Sequence, residues 1–321
     1  MNAEAMKRIE APPVTGRRGV AAARYVVVSP VKDEAPRVTR TLESMDRQSL
    51  RPLRWVIVDD GSTDDTPALL ASYARNRPWV RIVSNPTGTP RAPGSPVMRA
   101  FAQGLSVTSD LAFDYVVKLD CDLELPDDYF ARLLAHFEAE PRLGIASGVY
   151  LEENATGHWQ HVAMPDYHAA GASKVVRMDC FHDIGGFVCE RGWDTVDEVR
   201  ARTRGWDTRH FPDLQFRHLK PEGSGIGNLR TGIMHGEVYH ATGGGIVFLG
   251  LKVAHRMVTG RPPVAGGLAL GWGYLRAVLT GQPRLLDAQE RAHYRLLQSR
   301  RLWLGRGRVP QQQVATTEGS R

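Results

Sequence analysis

Cysteine is scarce in this sequence: Cys121, Cys180 and Cys189 are the whole complement of 321 residues, and none lies in a C-x-x-C pair. A disulfide-dense scaffold and the common zinc modules are thereby excluded, and a reducing compartment is the simplest setting. Long apolar runs are also lacking. The richest stretches, 241–254 and 262–275, fall short of the roughly 20 residues that span a bilayer, and Gly243, Gly244, Gly245 and Lys252 break the first. No transmembrane helix is expected. The opening residues hold Pro12, Pro13 and several bases but no apolar core of the kind a signal peptide needs. We read 1–23 as a flexible leader and 309–321 as a disordered tail. No G-x-G-x-x-G follows the first apolar run, which excludes the dinucleotide fingerprint of a dehydrogenase.

What is present is ordinary globular composition, 42% apolar and 24% charged, on a chain long enough for one large domain and an extension. The formal net charge of +6 is unevenly divided. From residue 241 onward 12 Lys and Arg face 3 Asp and Glu, or +9, so the first 240 residues carry 29 against 32, or −3. A basic tail suits an anionic surface. Recognition motifs for nucleic acid are absent, and no nucleic acid is expected as a partner.

Short β-branched runs at 25–28, 55–58, 80–83, 115–119 and 145–149 alternate with helix-period segments. Val38, Leu42 and Met45 share one face of the first helix, and Leu69, Leu70 and Tyr73 one face of the second. The pairing of Ser62 with Asp65 predicts that the second helix starts at Ser62 and stops before Pro78. Phe130, Leu133, Leu134 and Phe137 mark another between Pro126 and Pro141. Repeated strand–helix–strand units predict an α/β fold, a Rossmann-like, mainly parallel sheet with helices on both faces and ligands at the carboxyl ends of the strands.

Those strand ends are acidic. Asp33 and Glu34 follow the first strand, Asp59 and Asp60 the second, and Asp120 and Asp122 the fourth. Crowded carboxylates repel unless a cation or hydrogen-bond donors compensate, and oxygen ligands alone favour magnesium or manganese over zinc. Taken singly, Asp59-Asp60-Gly61-Ser62 is a turn and a helix cap, and Asp120-Cys121-Asp122 is a solvated loop. At successive strand ends they predict one cleft holding a divalent metal.

The stretches Val27-Val28-Ser29-Pro30-Val31, Val56-Ile57-Val58-Asp59-Asp60-Gly61-Ser62-Thr63-Asp64, Lys118-Leu119-Asp120-Cys121-Asp122 and Ile184-Gly185-Gly186-Phe187 resemble, in kind and order, the family 2 inverting nucleotide-sugar glycosyltransferases of the A-type fold. The resemblance runs over about 24–221. It implies a catalytic domain at 24–240, with a nucleotide-sugar half at about 24–125 and an acceptor half at about 126–240. It also implies transfer of a sugar from a nucleoside diphosphate to a saccharide or lipid-linked acceptor, in cell-envelope or exopolysaccharide synthesis. By the same resemblance Ser29, Pro30 and Asp60 meet the nucleotide, and Glu34 lies near the ribose, although the asparagine usual in that loop is missing. Asp120 holds the ribose or donor sugar. Asp122 binds manganese or magnesium, which bridges the phosphates; Leu123 stands where many relatives carry a further acid. His218-x-Lys220-Pro221 resembles the family's histidine-x-basic-proline segment, in which the histidine completes the metal shell or faces the diphosphate, and we place Lys220 with the donor.

Inverting transfer needs a general base for the acceptor hydroxyl. The resemblance places it just after the glycine-glycine-phenylalanine turn, where an acidic pair opens a helix. Here that stretch reads Trp193-Asp194-Thr195-Val196-Asp197-Glu198, with Gly205 as the helix C-cap. Asp197 is the first choice. Counting back from Gly205 favours Asp194, which could equally cap the helix, and Glu198 is the third candidate. Cys121 reads as a small buried filler.

A phosphorelay receiver domain is the rival from another class, since it too carries paired aspartates after a strand, but it leaves Asp120, Asp122 and 194–198 without a task. An inactive glycosyltransferase-like binding protein is the other alternative. Residues 241–308 are expected to form a helical, basic extension. Trp272, Tyr274 and the eight arginines between Arg276 and Arg308 suggest an enzyme lying peripherally on the inner face of the cytoplasmic membrane. The competing expectation is a helical lid packed on the acidic catalytic half.

Overall fold

The computed structural model describes residues 23–85, 95–154, 156–220, 227–260 and 262–303. The expected leader up to residue 22, Pro221 and the tail lie outside the described residues. Strands β1 (Tyr25–Val31), β2 (Arg54–Asp59), β3 (Val80–Ser84) and β4 (Tyr115–Leu119) stand in the order β3-β2-β1-β4, all parallel. Helices α1 (Ala35–Asp46), α2 (Thr66–Ala74) and α3 (Ser95–Ser106) alternate with them.

The alternation of side chains along β1 sets the layers. Tyr25, Val27 and Val31 pack with α1 and α4 (Tyr129–Ala139), whereas Val26 and Val28 pack with α3 on the opposite face. Pro30 is buried within β1, opposite Val58 of β2.

Beyond β4 the sheet becomes mixed. The remaining strands are β5 (Leu123–Glu124), β6 (Leu143–Glu153), β7 (Trp159–His161), β8 (Ser173–Arg177) and β9 (Asp207–His218). They extend the order as β4-β8-β6-β9-β5, with β7 on β6; only β6 and β9 are parallel. The α/β prediction therefore holds, and the parallel character belongs chiefly to the first half. Between β8 and β9 lie α5 (Met178–Asp183) and α6 (Trp193–Thr203), both in the core on the α3 face. Gly185 and Gly186 follow α5 with φ of 73° and 71°, and the Gly186 amide donates to the Phe181 carbonyl at 2.8 Å. That left-handed pair is what the Ile184-Gly185-Gly186-Phe187 stretch is for: it closes α5 and turns the chain toward α6.

Helix α2 starts at Thr66, four residues later than the capping-box reading placed it. The reason is that 62–64 are drawn into the neighbouring loop. The Ser62 hydroxyl accepts from the Asp33 amide at 3.0 Å, and Asp64 accepts from the Ala35 amide at 3.1 Å.

The C-terminal helices are α7 (Asn228–Ala241), α8 (Ile246–Thr259), α9 (Ala265–Leu279) and α10 (Ala288–Trp303). They begin before residue 241; Leu249 of α8 and Leu270 of α9 pack with Tyr239 of α7 in a small cluster of their own, whereas the segment around α10 joins the main core. Leu285, Leu286 and Tyr294 join the core beneath α6, and Glu290 reaches Arg200 at 3.5 Å and Arg204 at 3.1 Å. Helices α7 and α9 touch through glycines: a Cβ on Gly273 would lie 2.0 Å from the Ile233 carbonyl oxygen. Among the described residues no helix is long and apolar enough to cross a membrane.

Candidate functional site

Adjacency of β2, β1 and β4 gathers their acidic carboxyl ends along one rim. The first two loops are laced together. Asp33 sits at φ 51°, an unusual backbone for a residue other than glycine, and its carboxylate accepts from the Thr63 amide at 2.8 Å. The Glu34 amide donates to the Thr66 hydroxyl at 2.9 Å. Asp59 accepts from the Ser62 amide at 3.1 Å, and Asp60, nearly buried, accepts from Asn85 Nδ2 at 2.8 Å.

Ser29 corrects the sequence reading. Its side chain points to the α1 face with Val27 and Val31, is 0% exposed, and accepts from Trp55 Nε1 at 2.8 Å. The hydroxyl is committed to the core and does not face a nucleotide. Cys121 is buried, as the filler reading expects, and burial pushes its thiol well up from the ordinary value.

The third strand end meets a segment from far along the chain. The Leu219 amide donates to the Asp122 carbonyl at 2.8 Å, and Arg37 Nε donates to the Leu219 carbonyl at 3.2 Å. These bonds bring His218 and Lys220 over α1. His218 Nε2 lies 3.6 Å from Asp122 Oδ2, while Nδ1 lies 3.2 Å from Glu152 Oε1. Burial opposes a charged imidazole, yet the two acids overcome it and the His218 pKa is pushed up to about 10. Burial likewise opposes the Asp122 carboxylate, and His218, helped by Lys220 and Lys118, holds it below the usual range. Lys220 pairs with Glu34, whose carboxyl burial raises. Asp120 accepts from Lys118 Nζ at 2.5 Å, and burial raises its carboxyl against the pull of that lysine.

The three acids of α6 separate sharply. Asp197 and Glu198 are 2% and 1% exposed and pair with Lys174, itself 0% exposed, at 3.1 Å each. Glu198 also accepts from the Ala169 amide at 2.8 Å and lies 3.0 Å from His168 Nδ1. Both acids are locked inside, contrary to the first-choice reading of Asp197 as the base. Asp194 is partly exposed on the first turn and is not the N-cap, a place taken by Gly192 at φ 85°. Helix α7 covers this end: a Cβ on Gly192 would fall 2.7 Å from Val238. His235 of α7 accepts from Arg256 of α8 at 2.8 Å, and burial, with that arginine, lowers its pKa to about 4.

Among the described residues no group of three or more His, Cys, Asp or Glu is arranged to hold a metal ion. The donor set nevertheless suits a cation that arrives with phosphates and needs few protein ligands. Asp122 Oδ1 is buried and has no hydrogen-bond partner among the described residues, an oxygen ready for a ligand.

Sequence reasoning missed Asn85, Glu152 and Lys174. A lysine in the apolar run Val116-Val117-Lys118-Leu119 or Lys174-Val175-Val176 is a signal in itself, since a strand buried on both faces tolerates a charge only beside acids. Asn85 and Glu152 carry no comparable mark.

Residues 26–189, just over half of the chain, match the model of the family described as glycosyl transferase family 2. Over 190 residues the chain is 28% identical to the succinoglycan biosynthesis protein ExoA of Rhizobium meliloti (strain 1021), covering 50% of this chain and 52% of that protein. It thus spans about half the length of that curated relative. Two solved structures share the fold. The mannosyltransferase PcManGT of Pyrobaculum calidifontis, in complex with GDP-Man and Mn2+, aligns with a TM-score of 0.51 at 18% identity over 91% of this chain and 92% of that one. S. aureus TarS, in complex with UDP-GlcNAc, gives 0.52 at 14% identity over 89% and 93%.

Proposed function

This chain belongs to glycosyl transferase family 2, and we propose that it transfers a sugar, with inversion, from a nucleoside diphosphate to a saccharide or lipid-linked acceptor in polysaccharide assembly. The receiver-domain reading falls with this membership. The observation that carries the proposal is the division among the α6 acids: Asp197 and Glu198 are consumed by Lys174, and Asp194 alone is left partly exposed, its carbonyl bonded to Lys174, the cross-strand partner of Lys118 near the carboxyl end of β4.

In this reading Asp60 and Asn85 address the nucleotide base, and Asp120, oriented by Lys118, accepts hydroxyls of the ribose or donor sugar. Asp194 takes the proton of the acceptor hydroxyl as that oxygen attacks the anomeric carbon. The bond from that carbon to the diphosphate oxygen breaks on the opposite face, and its electron pair leaves with the nucleoside diphosphate. Protonated His218 and Lys220 bring positive charge to the same cluster. Asp122, with His218 once deprotonated, would hold manganese or magnesium, which supplies charge neutralisation at the departing diphosphate. The Mn2+ in the structure of the mannosyltransferase relative supports that choice.

The acceptor side suggests a cytoplasmic enzyme on the inner face of an anionic membrane. Helices α8 and α9 expose Ile246, Val247, Leu251, Val258, Trp272 and Leu279. The region from 241 onward carries the +9 charge that anionic lipid would attract. Helices α7 and α10, in contrast, serve the lid-like packing on the catalytic half.

Asp194→Asn tests the base. Turnover should fall about 10²-fold or more while donor affinity stays within twofold, and Asp197→Asn should cost far less turnover. Full activity of Asp194→Asn would remove it as the base.

A further inference from the structure

Lys118 and Lys174 are direct cross-strand partners in the antiparallel β4–β8 pair, and both ammonium groups lie over the Trp193 ring, at 5.7 and 5.0 Å. Like charges opposite one another weaken a sheet, and a fully buried lysine carries a desolvation cost that packed apolar side chains would avoid. The two are committed in different directions. Lys118 holds Asp120, whereas Lys174 donates to Asp197 at 3.1 and 3.2 Å, to Glu198 at 3.1 Å, and to the main-chain carbonyl of Asp194 at 3.0 Å. That last bond touches the residue proposed as the base. Trp193, packed on Phe187 at 5.1 Å between ring centroids, lies against both lysines.

We propose that Lys174 is a positioning residue: it clamps the first two turns of α6 through the Asp194 carbonyl and the Asp197 and Glu198 carboxyl groups, and so holds the Asp194 side chain in register with Asp120. The proposal rests on the reading of Asp194 as the base. It gives a task to Lys174 and Asp197, whose printed bonds run only within this cluster, while Glu198 also holds the Ala169 amide and His168. It also explains why the neighbouring lysine belongs to the donor side: one pair of strands aligns both halves of the reaction.

The test is the paired change Lys174→Met with Asp197→Asn, which removes the ammonium together with one of its two carboxyl partners and leaves Glu198 with His168 and the Ala169 amide. Circular dichroism and calorimetric titration with nucleoside diphosphate establish that the variant is folded and binds donor. With Kd for the nucleotide unchanged within twofold, kcat should fall about 10²-fold, the cost of misplacing a reacting group by about an ångström. In an Asp194→Asn background the same pair should cause no further loss. Undiminished kcat, or an equal loss in both backgrounds, overturns the proposal while leaving the base assignment standing. Retained turnover in Asp194→Asn alone overturns both. Should the paired variant fail to fold, Lys174→Arg keeps the charge but not the length, and a folded Lys174→Arg enzyme with full kcat overturns the positioning role.

Discussion

Ser29→Ala separates a core residue from a nucleotide contact. In the folded chain Ser29 Oγ accepts from Trp55 Nε1 at 2.8 Å, and both residues are 0% exposed. Trp55 cannot turn to another partner, because its ring is stacked on Trp79 and met edge-on by Tyr73, each with centroids 5.9 Å apart. Alanine therefore leaves a buried indole N–H without an acceptor, at a cost of about 1–3 kcal/mol. At about 2–4 °C of Tm per kcal/mol, the figure for domains of roughly 150–250 residues, a fall of about 2–12 °C is expected. Scanning calorimetry measures it, and titration with nucleoside diphosphates measures the rest: Kd should stay within twofold, since the hydroxyl faces the core. An unchanged Tm with tenfold weaker nucleotide binding would refute the reasoning and return Ser29 to the donor site.

Asp122→Ala should abolish metal-dependent nucleotide binding and transfer, checked by titration with and without Mn2+, while Asp60→Ala should weaken nucleotide binding in both conditions; nucleotide binding as tight as the parent's in both variants would mean that the donor site lies elsewhere. Replacing Ile246, Val247, Leu251 and Trp272 with serine should abolish flotation of the full chain with anionic vesicles and leave Tm within about 2 °C, because these side chains are exposed. Truncation before α7 is the wrong probe, since Leu285, Leu286 and Tyr294 belong to the main core.

Much of the first half of the chain was legible because its signals are local. A β-branched run followed by acids states both a strand and its functional end, and the Gly185-Gly186 pair states a turn, whatever surrounds them. Even the correction at Ser29 lay within reach: in a strand of period two it shares a face with Tyr25, Val27 and Val31. The α6 acids are different. Their order, Asp194, Asp197 and Glu198, is all that the linear chain offers, and any of the three could face solvent. What decided between them is Lys174, on β8, which stands 20 to 24 positions earlier and is brought beneath the helix only by the sheet order β4-β8-β6. Likewise His218 reaches Asp122 because β9 crosses to pair with β5, a contact 96 residues apart in sequence. Local hydrogen bonding and side-chain sterics set the strands and their acidic ends; burial, a property of the whole packed chain, set which acid is paired inside and which is left partly exposed.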